Sequence, residues 1–347
     1  MQPLEKTRVL FINMASGFGG GEFQTEQLMR GLNQLEHYEL FFFGKSSGKL
    51  KKHLAQTAPF VQLVNLWQLL KLVLSKRSLI IHAQDGRGAH LAAILKKISG
   101  KPTVITRHVA FPFKRKSSTK SYQQADRLVG VSQKITEILK ALNPNSQTIY
   151  GCIKPLQENP EFEQRYFSPQ KAQFHIGHIG NFQPIKNFPL TIELAQHFPQ
   201  HHFYLVGSGE LENELKQQAN GLNNLYFIPF TDHMGSVFKQ LDLQLVPSHS
   251  EGLGGIILEG YQYQVPVIAH ATGGIPEIVQ QDKTGYLSEK NQLADYQAYL
   301  TELTTHPEKL NELKQQISQF CQQRNFTAER MAEEYHQLYQ QFQQNTH

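Results

Sequence analysis

Two glutamates, Glu251 and Glu259, lie eight residues apart around a glycine-rich turn in the segment SHSEGLGGIILEG. An apolar run, LDLQLVPS, precedes the turn and predicts a strand, and the stretch that follows predicts a helix. Glycines allow a backbone to approach a ligand closely, and a helix N-terminus presents free N–H groups and a positive dipole. A turn of this kind can therefore hold a diphosphate without a metal ion.

The two carboxylates are predicted to have different roles at such a site. Glu259, about one turn into the helix, can accept two hydrogen bonds from a ribose diol, whereas Glu251 lies at the mouth, where a sugar would be. The alternative is a solvated loop glutamate and an exposed helix glutamate, since pairs at this spacing also occur by chance.

A second glycine turn favours the ligand-binding interpretation. The segment PVIAHATGGIPEIVQQDKTGYL predicts a strand over Val265 to Ala269, a turn at Gly273 and Gly274, and a helix that starts near Pro276. Together the two turns resemble the family 4 glycosyltransferases, in which a strand precedes E-G-x-G, a second Glu follows eight positions after the first, and G-G-x-P-E comes after the next strand. The resemblance spans nearly the whole chain and is strongest from His175 to Leu287.

The resemblance implies an α/β protein with the GT-B fold. Two doubly wound, Rossmann-like domains would face each other across a cleft, and a C-terminal helix would cross back to the first domain. It also implies a retaining, metal-independent transferase that moves a hexosyl or related sugar from a nucleotide diphosphate sugar to an acceptor. No cofactor is expected beyond the sugar nucleotide, which is a co-substrate.

The family pattern assigns three catalytic residues, His108, Lys186 and Glu251. His108 closes the predicted strand PTVITRHV and would face the transferring sugar, although a structural histidine is the alternative. Lys186 would grip the diphosphate, with a solvated lysine as the alternative. Asn181 stands where family members usually carry an arginine; an amide can donate a hydrogen bond but supplies no charge, so Lys186 must stabilise more of the leaving group.

The remaining predicted donor ligands are glycine-turn residues. The loop GFGGGE after the first strand is not a G-x-G-x-x-G fingerprint, and a tight turn without a ligand is the alternative there. The predicted donor-binding residues are Gly20, Gly21, Asn181, Gly207, Gly209, Gly252, Leu253, Gly254, Gly255 and Glu259. The segment Phe230 to Asp232 lies where similar enzymes often hold the base.

Short apolar strands alternate with helical stretches along the chain, the pattern of parallel sheets covered by helices. We predict an acceptor-binding domain over residues 1–154, a linker at 155–173, a nucleotide-sugar domain at 174–324, and a helix at 325–347 that packs on the first domain. Pro155 to Gln173 contains three prolines and no clear periodicity, which favours a linker. The predicted strands of the two domains begin near Val9, Leu40, Leu79, Thr103 and Leu128, and near His175, Phe203, Leu225, Leu243 and Val265.

Charge is distributed unevenly between the two predicted domains. Residues 1–150 carry 22 Lys and Arg against 8 acids, and residues 151–347 carry 12 against 21, so the net +5 of the chain divides into +14 and −9. The excess predicts an anionic partner for the first domain: a glycan or lipid-linked acceptor, as in lipopolysaccharide synthesis, or a membrane surface. The alternative is that the lysines only keep the protein soluble. Nucleic acid is not expected as a partner because no nucleic-acid-recognition motif accompanies the basic residues.

The remaining features are negative expectations. Cys152 and Cys321 form no ligand cluster and the histidines lack metal-ligand spacing, so no metal site is expected. No apolar run approaches the ~18 residues of a membrane span, so we expect a cytoplasmic protein that can also lie at the inner membrane face. Two other functions stay open: a non-catalytic sugar-nucleotide-binding partner protein, motivated by Asn181, and a GT-B nucleotide-sugar epimerase.

Overall fold

The computed structural model describes residues 6–113, 116–153, 155–167 and 174–344. The chain divides into two compact units, Met1–Cys152 with Phe326–His347, and Ile153–Asn325. Within the described residues, no helix is both long and apolar enough to cross a membrane.

The first unit is built on a seven-stranded parallel sheet in the order β3-β2-β1-β4-β5-β6-β7. Its strands are Thr7–Asn13 (β1), Tyr38–Gly44 (β2), Val61–Leu63 (β3), Leu79–Ala83 (β4), Thr103–Arg107 (β5), Arg127–Gly130 (β6) and Ser146–Thr148 (β7). Its helices are Gly20–Gln34 (α1), Lys49–Thr57 (α2), Leu66–Leu74 (α3), Gly86–Ser99 (α4), Lys116–Gln123 (α5), Gln133–Lys140 (α6) and Ala328–Gln344 (α15). Every residue of β1 is buried, as expected for a central strand with helices on both faces.

The second unit has a six-stranded parallel sheet in the order β10-β9-β8-β11-β12-β13. Its strands are His175–Ile179 (β8), His202–Val206 (β9), Leu225–Ile228 (β10), Leu243–Val246 (β11), Val267–His270 (β12) and Gly285–Ser288 (β13). Its helices are Pro160–Tyr166 (α7), Phe188–His197 (α8), Glu212–Gln218 (α9), Met234–Lys239 (α10), Gly255–Tyr261 (α11), Ile275–Ile278 (α12), Leu293–Thr305 (α13) and Pro307–Gln323 (α14), with a 3₁₀ turn at Pro184–Lys186.

The prediction of an α/β chain with parallel sheets is confirmed. Each of the ten predicted strands corresponds to an observed one, but β3, β7 and β13 were not predicted. β3 and β7 have only three residues each, too few to show a strand periodicity, and β7, Ser146–Thr148, is also wholly polar. These three strands lie at sheet edges.

The segment predicted as a linker contains helix α7, which belongs to the second unit. Pro160 stands in the first turn of this helix, where its missing N–H costs nothing, and Asn159 caps it by accepting from the N–H groups of Glu161 and Phe162. A proline counted as a breaker therefore begins a helix. The last six residues of the predicted linker, 168–173, lie outside the described part of the chain.

The last helix, α15, packs on α1 within the first unit. Its apolar face buries Met331, Tyr335, Leu338 and Tyr339, the helical spacing seen in the sequence. The two helices are in close contact at Gly31, where a Cβ would lie 2.7 Å from the Cβ of Ala332 and 2.9 Å from the carbonyl oxygen of Ala328. Only a residue without a side chain fits between them.

Replacing Gly31 by valine is expected to destabilise the protein by about 1–3 kcal/mol, because α1 and α15 must separate to admit the side chain. Thermal unfolding measures the effect. The matched control is Gly17→Val, since a Cβ at Gly17 meets no atom within 4 Å. An unchanged melting temperature in Gly31→Val would contradict this account of the helix contact.

Candidate functional site

In each sheet the strand order reverses at one point, between β1 and β4 in the first unit and between β8 and β11 in the second. Because all strands are parallel, the loops after them collect at one edge of each sheet. Ligands of doubly wound sheets bind in the crevice beside this reversal, at the carboxyl ends of the strands. The residues singled out in the sequence lie in these loops or near the starts of the helices that follow them.

Lys186 and Glu251 meet at the reversal in the second unit. Lys186 ends the 3₁₀ turn after β8, Glu251 lies in the loop after β11, and the lysine Nζ donates to the glutamate Oε1. The two side chains are 23% and 13% exposed, so the pair is shielded but reachable from solvent. The structure therefore brings together the two residues that the sequence placed near the sugar and the diphosphate.

Backbone contacts hold the Glu251 loop in place. The His249 N–H donates to the Ile185 carbonyl at 2.8 Å, and the Gly274 N–H donates to the Gly252 carbonyl at 3.0 Å. A Cβ at Gly273 would lie 1.8 Å from the Glu251 carbonyl oxygen, and its φ of +56° is in the left-handed region. The second glycine turn thus packs directly against the backbone of the loop that carries Glu251.

The helix after this loop begins as predicted. Gly254, with φ of +89°, is the cap residue of α11, and Gly255 is its first residue and exposed. Leu253 is buried at 8% exposure, so its side chain anchors the loop and leaves only its backbone for a ligand. Glu259 is the fifth residue of α11 and is half-buried.

Gly207 and Gly209, after β9, pack against the loop that carries Asn181. A Cβ at Gly207 would lie 2.0 Å from the Gly180 carbonyl oxygen, and one at Gly209 would lie 2.5 Å from that of Phe182. These glycines therefore bring two loops into backbone contact at the carboxyl ends of β8 and β9. Asn181 itself is exposed.

An aromatic platform lies at the next strand end. Phe230 follows β10 and is 68% exposed, which is unusual for a phenylalanine. The family resemblance pointed to the Phe230–Asp232 segment as the place of the base, but sequence reasoning did not predict that the Phe230 ring is exposed there. An exposed ring at this edge can stack on a planar base.

In the first unit, His108 and the start of α1 lie together. A Cβ at Gly21 would lie 3.4 Å from the His108 Cγ, so the imidazole packs over this glycine. Glu22 accepts from the Gly19 N–H at 2.9 Å and from the Asn13 side chain at 3.2 Å. Glu22 therefore fixes the loop. Gly20 is exposed at its surface, and Gly21 is partly covered by the imidazole of His108.

A chain of hydrogen bonds connects His108 to the interior. His108 Nε2 lies 3.0 Å from Gln84 Oε1, and Gln84 Nε2 lies 3.0 Å from His82 Nε2. The other nitrogen of His82 lies 2.6 Å from the Tyr339 hydroxyl, and the Thr106 hydroxyl lies 2.8 Å from His82 Nε2. With Gln84 accepting, His108 carries its proton on Nε2 and keeps Nδ1 for a ligand.

Burial keeps both imidazoles of this chain uncharged. Desolvation lowers the pKa of His82 to about 3, with a smaller contribution from His108, and lowers the pKa of His108 to about 4. His108 is nevertheless partly exposed at its outer face. At neutral pH it offers a hydrogen bond rather than a positive charge. Nothing in the local sequence around Gln84 or Tyr339 indicates these hydrogen bonds, because the residues that form them are separated by up to 257 positions.

The histidines do not assemble into a metal site in the described ranges, where no group of three His, Cys, Asp or Glu side chains could hold an ion. His178, for example, stacks on Phe188 with ring centroids 3.8 Å apart and has Nδ1 2.8 Å from the Thr191 hydroxyl. It is a buried core residue.

Comparisons with known proteins agree with this geometry. A model described as glycosyltransferase family 4 matches residues 18–154, and one described as glycosyl transferases group 1 matches residues 160–320. An uncharacterized glycosyltransferase of Methanocaldococcus jannaschii is 24% identical over 84% of this chain and 86% of its own length. An Escherichia coli UDP-Gal:alpha-D-GlcNAc-diphosphoundecaprenol alpha-1,3-galactosyltransferase is 24% identical over 70% of each chain.

Among solved structures, Anabaena HepE in complex with UDP superimposes with a TM-score of 0.82 at 20% identity, over 96% of this chain and 100% of that one. Likeness at this level of identity establishes the fold. The two family models lie side by side and together span most of the chain. The protein therefore belongs to the group 1, family 4 glycosyltransferases and has their GT-B fold.

Proposed function

We propose that this glycosyltransferase moves a hexose from a uridine diphosphate sugar to a hydroxyl group of a glycan or lipid-linked acceptor, without a metal ion and with retention of anomeric configuration. The observation that carries the proposal is the meeting of Lys186 and Glu251 at the reversal of the second sheet. The choice of uridine is supported by HepE, solved with UDP and with UDP-glucose, and by the UDP-galactose named for the E. coli relative.

Lys186 supplies the positive charge that the leaving diphosphate needs. In this structure its ammonium forms an ion pair with Glu251. A diphosphate carries more charge than a carboxylate, so on binding it takes over the ammonium and releases Glu251 to accept hydrogen bonds from sugar hydroxyls. With Asn181 in place of the usual arginine, Lys186 carries most of this stabilisation, together with the backbone N–H groups near Gly254 and Gly255.

In the transfer step the bond between the anomeric carbon and the diphosphate oxygen breaks, and a bond to the acceptor oxygen forms on the same face. The acceptor hydroxyl passes its proton to the departing phosphate oxygen, so no separate base is needed. His108, neutral and with Nδ1 open, accepts a hydrogen bond from a hydroxyl of the sugar or the acceptor.

A lipid-linked acceptor is supported by the surface of helix α3. Leu66, Trp67 and Leu74 lie on one face and are 59%, 77% and 61% exposed, while Leu69 and Val73 are buried on the other face. Only the inner face of α3 therefore packs in the core. Exposed Trp and Leu in a basic domain suit an anionic membrane surface, and sedimentation of Trp67→Ser with phosphatidylglycerol vesicles tests that location.

The proposal is tested by calorimetric titration of the protein with UDP, GDP, ADP and CMP, each with magnesium and with EDTA. We expect saturable binding of UDP that does not depend on magnesium. Glu259→Ala and Phe230→Ala should each weaken UDP binding at least tenfold, through loss of the ribose contact and of base stacking respectively, with stacking worth about 1–3 kcal/mol. Glu312→Ala, at an exposed position of α14, is the control.

Three results would change the conclusion. UDP binding that depends on magnesium would contradict the metal-free mechanism. UDP binding without sugar transfer to any acceptor would favour the non-catalytic partner, which the exposed Asn181 motivates. Failure of all four nucleotides to bind would contradict the donor site itself.

A further inference from the structure

A cavity of about 270 Å³ opens at the carboxyl end of β5, within the first unit. Gly86, Arg107, Val109, Phe111, Phe113 and Tyr122 contribute to its lining. Arg107 is the last residue of β5 and immediately precedes His108. The cavity therefore lies beside the histidine that the proposed function places near the reacting hydroxyl groups.

The cavity contains a buried cation. Arg107 is only 7% exposed, and its guanidinium lies 4.1 Å from the ring centroid of Phe113 and 5.6 Å from that of Tyr122. One terminal nitrogen donates to the Phe111 carbonyl, while the buried Nε finds no hydrogen-bond partner in the described part of the chain. Among the residues that the structure describes, Arg107 forms no ion pair with a carboxylate.

A buried charge with an open donor is costly unless an anion or acceptor completes it. The guanidinium suits an oxyanion especially well, since its planar fork presents donors in the geometry of a phosphate or carboxylate. The aromatic rings that enclose Arg107 hold the fork in one plane and add cation–π stabilisation. The arrangement is preorganised for an oxyanion that enters from the cavity.

The entrance to the cavity is apolar. Val109 and Phe111 are 44% and 43% exposed, so two large hydrophobic side chains face solvent at its mouth. A free inorganic anion gains nothing from such a rim. A ligand that joins an oxyanion to an apolar or ring-shaped body would cover both side chains while its charge reaches Arg107.

We propose that this cavity binds an acidic acceptor, with its phosphate or carboxylate group on Arg107 and its apolar portion against Val109 and Phe111. The proposal rests on the proposed function in treating the ligand as the acceptor of glycosyl transfer. It makes Arg107 a specificity residue that selects acceptors carrying an anion near the hydroxyl to be modified. The excess of basic residues in this domain would draw the same ligands toward it.

The alternative is that Arg107 only fastens the loop after β5 through its bond to Phe111. Binding of a small probe separates the two possibilities. Phenyl phosphate, inorganic phosphate and benzyl alcohol are titrated into the full-length protein labelled with ¹⁵N at arginine, and the Nε–H resonance of Arg107 is followed. Its resonance is assigned by its loss in Arg107→Gln.

We expect phenyl phosphate to bind saturably and to shift the Arg107 Nε–H signal, with inorganic phosphate and benzyl alcohol each at least tenfold weaker. Because Arg107→Gln can disturb the loop, Val109→Asp provides a second variant. A carboxylate at the exposed rim should weaken phenyl phosphate binding at least tenfold more than the neutral Val109→Asn does, because both variants lose the apolar contact but only the carboxylate repels the anion. Arg127→Gln, whose arginine Nε donates to Gln341 instead, is the matched charge control and should bind as the wild type does.

Several outcomes would overturn the proposal. Equal affinity for inorganic phosphate and phenyl phosphate would show that the apolar portion of the ligand does not contribute to binding. Equal affinity for benzyl alcohol and phenyl phosphate would show that the anion does not contribute. Absence of any shift in the Arg107 signal would leave Arg107 with its structural role alone. UDP binding is titrated in the same samples. If phenyl phosphate binds but UDP does not, the proposed function is contradicted and the proposal for the cavity is not. If UDP binds but phenyl phosphate does not, only the proposal for the cavity is contradicted.

Discussion

Replacing Lys186 by methionine is expected to lower kcat for sugar transfer by two to three orders of magnitude. Loss of one preorganised group that stabilises developing charge typically costs this much, and Asn181 leaves no second cation at the usual family position. Methionine keeps most of the apolar stem that packs beside Gly180, where a Cβ would lie 3.6 Å from the lysine Cε. The variant therefore removes charge with little change in packing.

The measurement is release of UDP from UDP-sugars in the presence of lipid-linked or glycan acceptors, with kcat and KM determined separately. Lys216→Met is the matched control, because Lys216 also pairs with a glutamate, Glu212, but on an exposed helix of the same unit. Lys186→Met also leaves Glu251 unpaired, so Glu251→Gln is combined with it. If Lys186→Met retains wild-type kcat, Lys186 does not stabilise the leaving group.

Acidification from pH 6.5 to 5 is expected to lower the free energy of unfolding by about 2 kcal/mol for each fully buried histidine of depressed pKa. Burial lowers the pKa of His82 in the first unit and of His178 in the second to about 3. Below pH 6.5 these two histidines therefore bind protons in the unfolded chain but not in the folded chain. Stability from these two residues is therefore complete above about pH 6.5 and is lost progressively as the pH falls.

Urea unfolding at several pH values between 7 and 5, followed by circular dichroism, measures this loss. His178→Gln should reduce the slope by about 1.4 kcal/mol per pH unit, whereas His197→Gln, at an exposed helix position, should leave it unchanged. Since His178→Gln also alters a buried stack on Phe188, histidine ring titration by NMR in the wild type gives an independent check. A ring that protonates near pH 6 would contradict the expected acid sensitivity.

The sequence was informative where chemistry is encoded locally. Glu251, the glycines around it and Glu259 fall within nine consecutive residues, so their spacing alone predicted one loop and one helix. Lys186 could be placed beside them only through the family resemblance, because 65 residues separate it from Glu251. Their contact depends on β8 and β11 being neighbours in the sheet.

Long-range polar contacts were beyond the reach of sequence reasoning. Gln84 lies in a strand-end loop like many others, and Tyr339 reads as one more apolar position of an amphipathic helix. Only the fold shows that Tyr339 contacts His82 and that Gln84 connects His82 to His108. The exposed ring of Phe230 and the burial of Arg107 were hidden for the same reason, since exposure depends on what surrounds a residue in space.

The division of the chain into units has a consequence for protein synthesis. The second unit is one continuous segment, 153–325, whereas the first needs residues from both ends of the chain. A ribosome therefore completes the second unit before it makes α15, although translation of the first unit began earlier. Until the last residues emerge, the surface of α1 around Gly31 stays uncovered and His82 lacks its tyrosine partner. The second unit can thus complete its fold before the first, and a ribosome stalled before residue 326 would hold one folded unit joined to one incomplete unit.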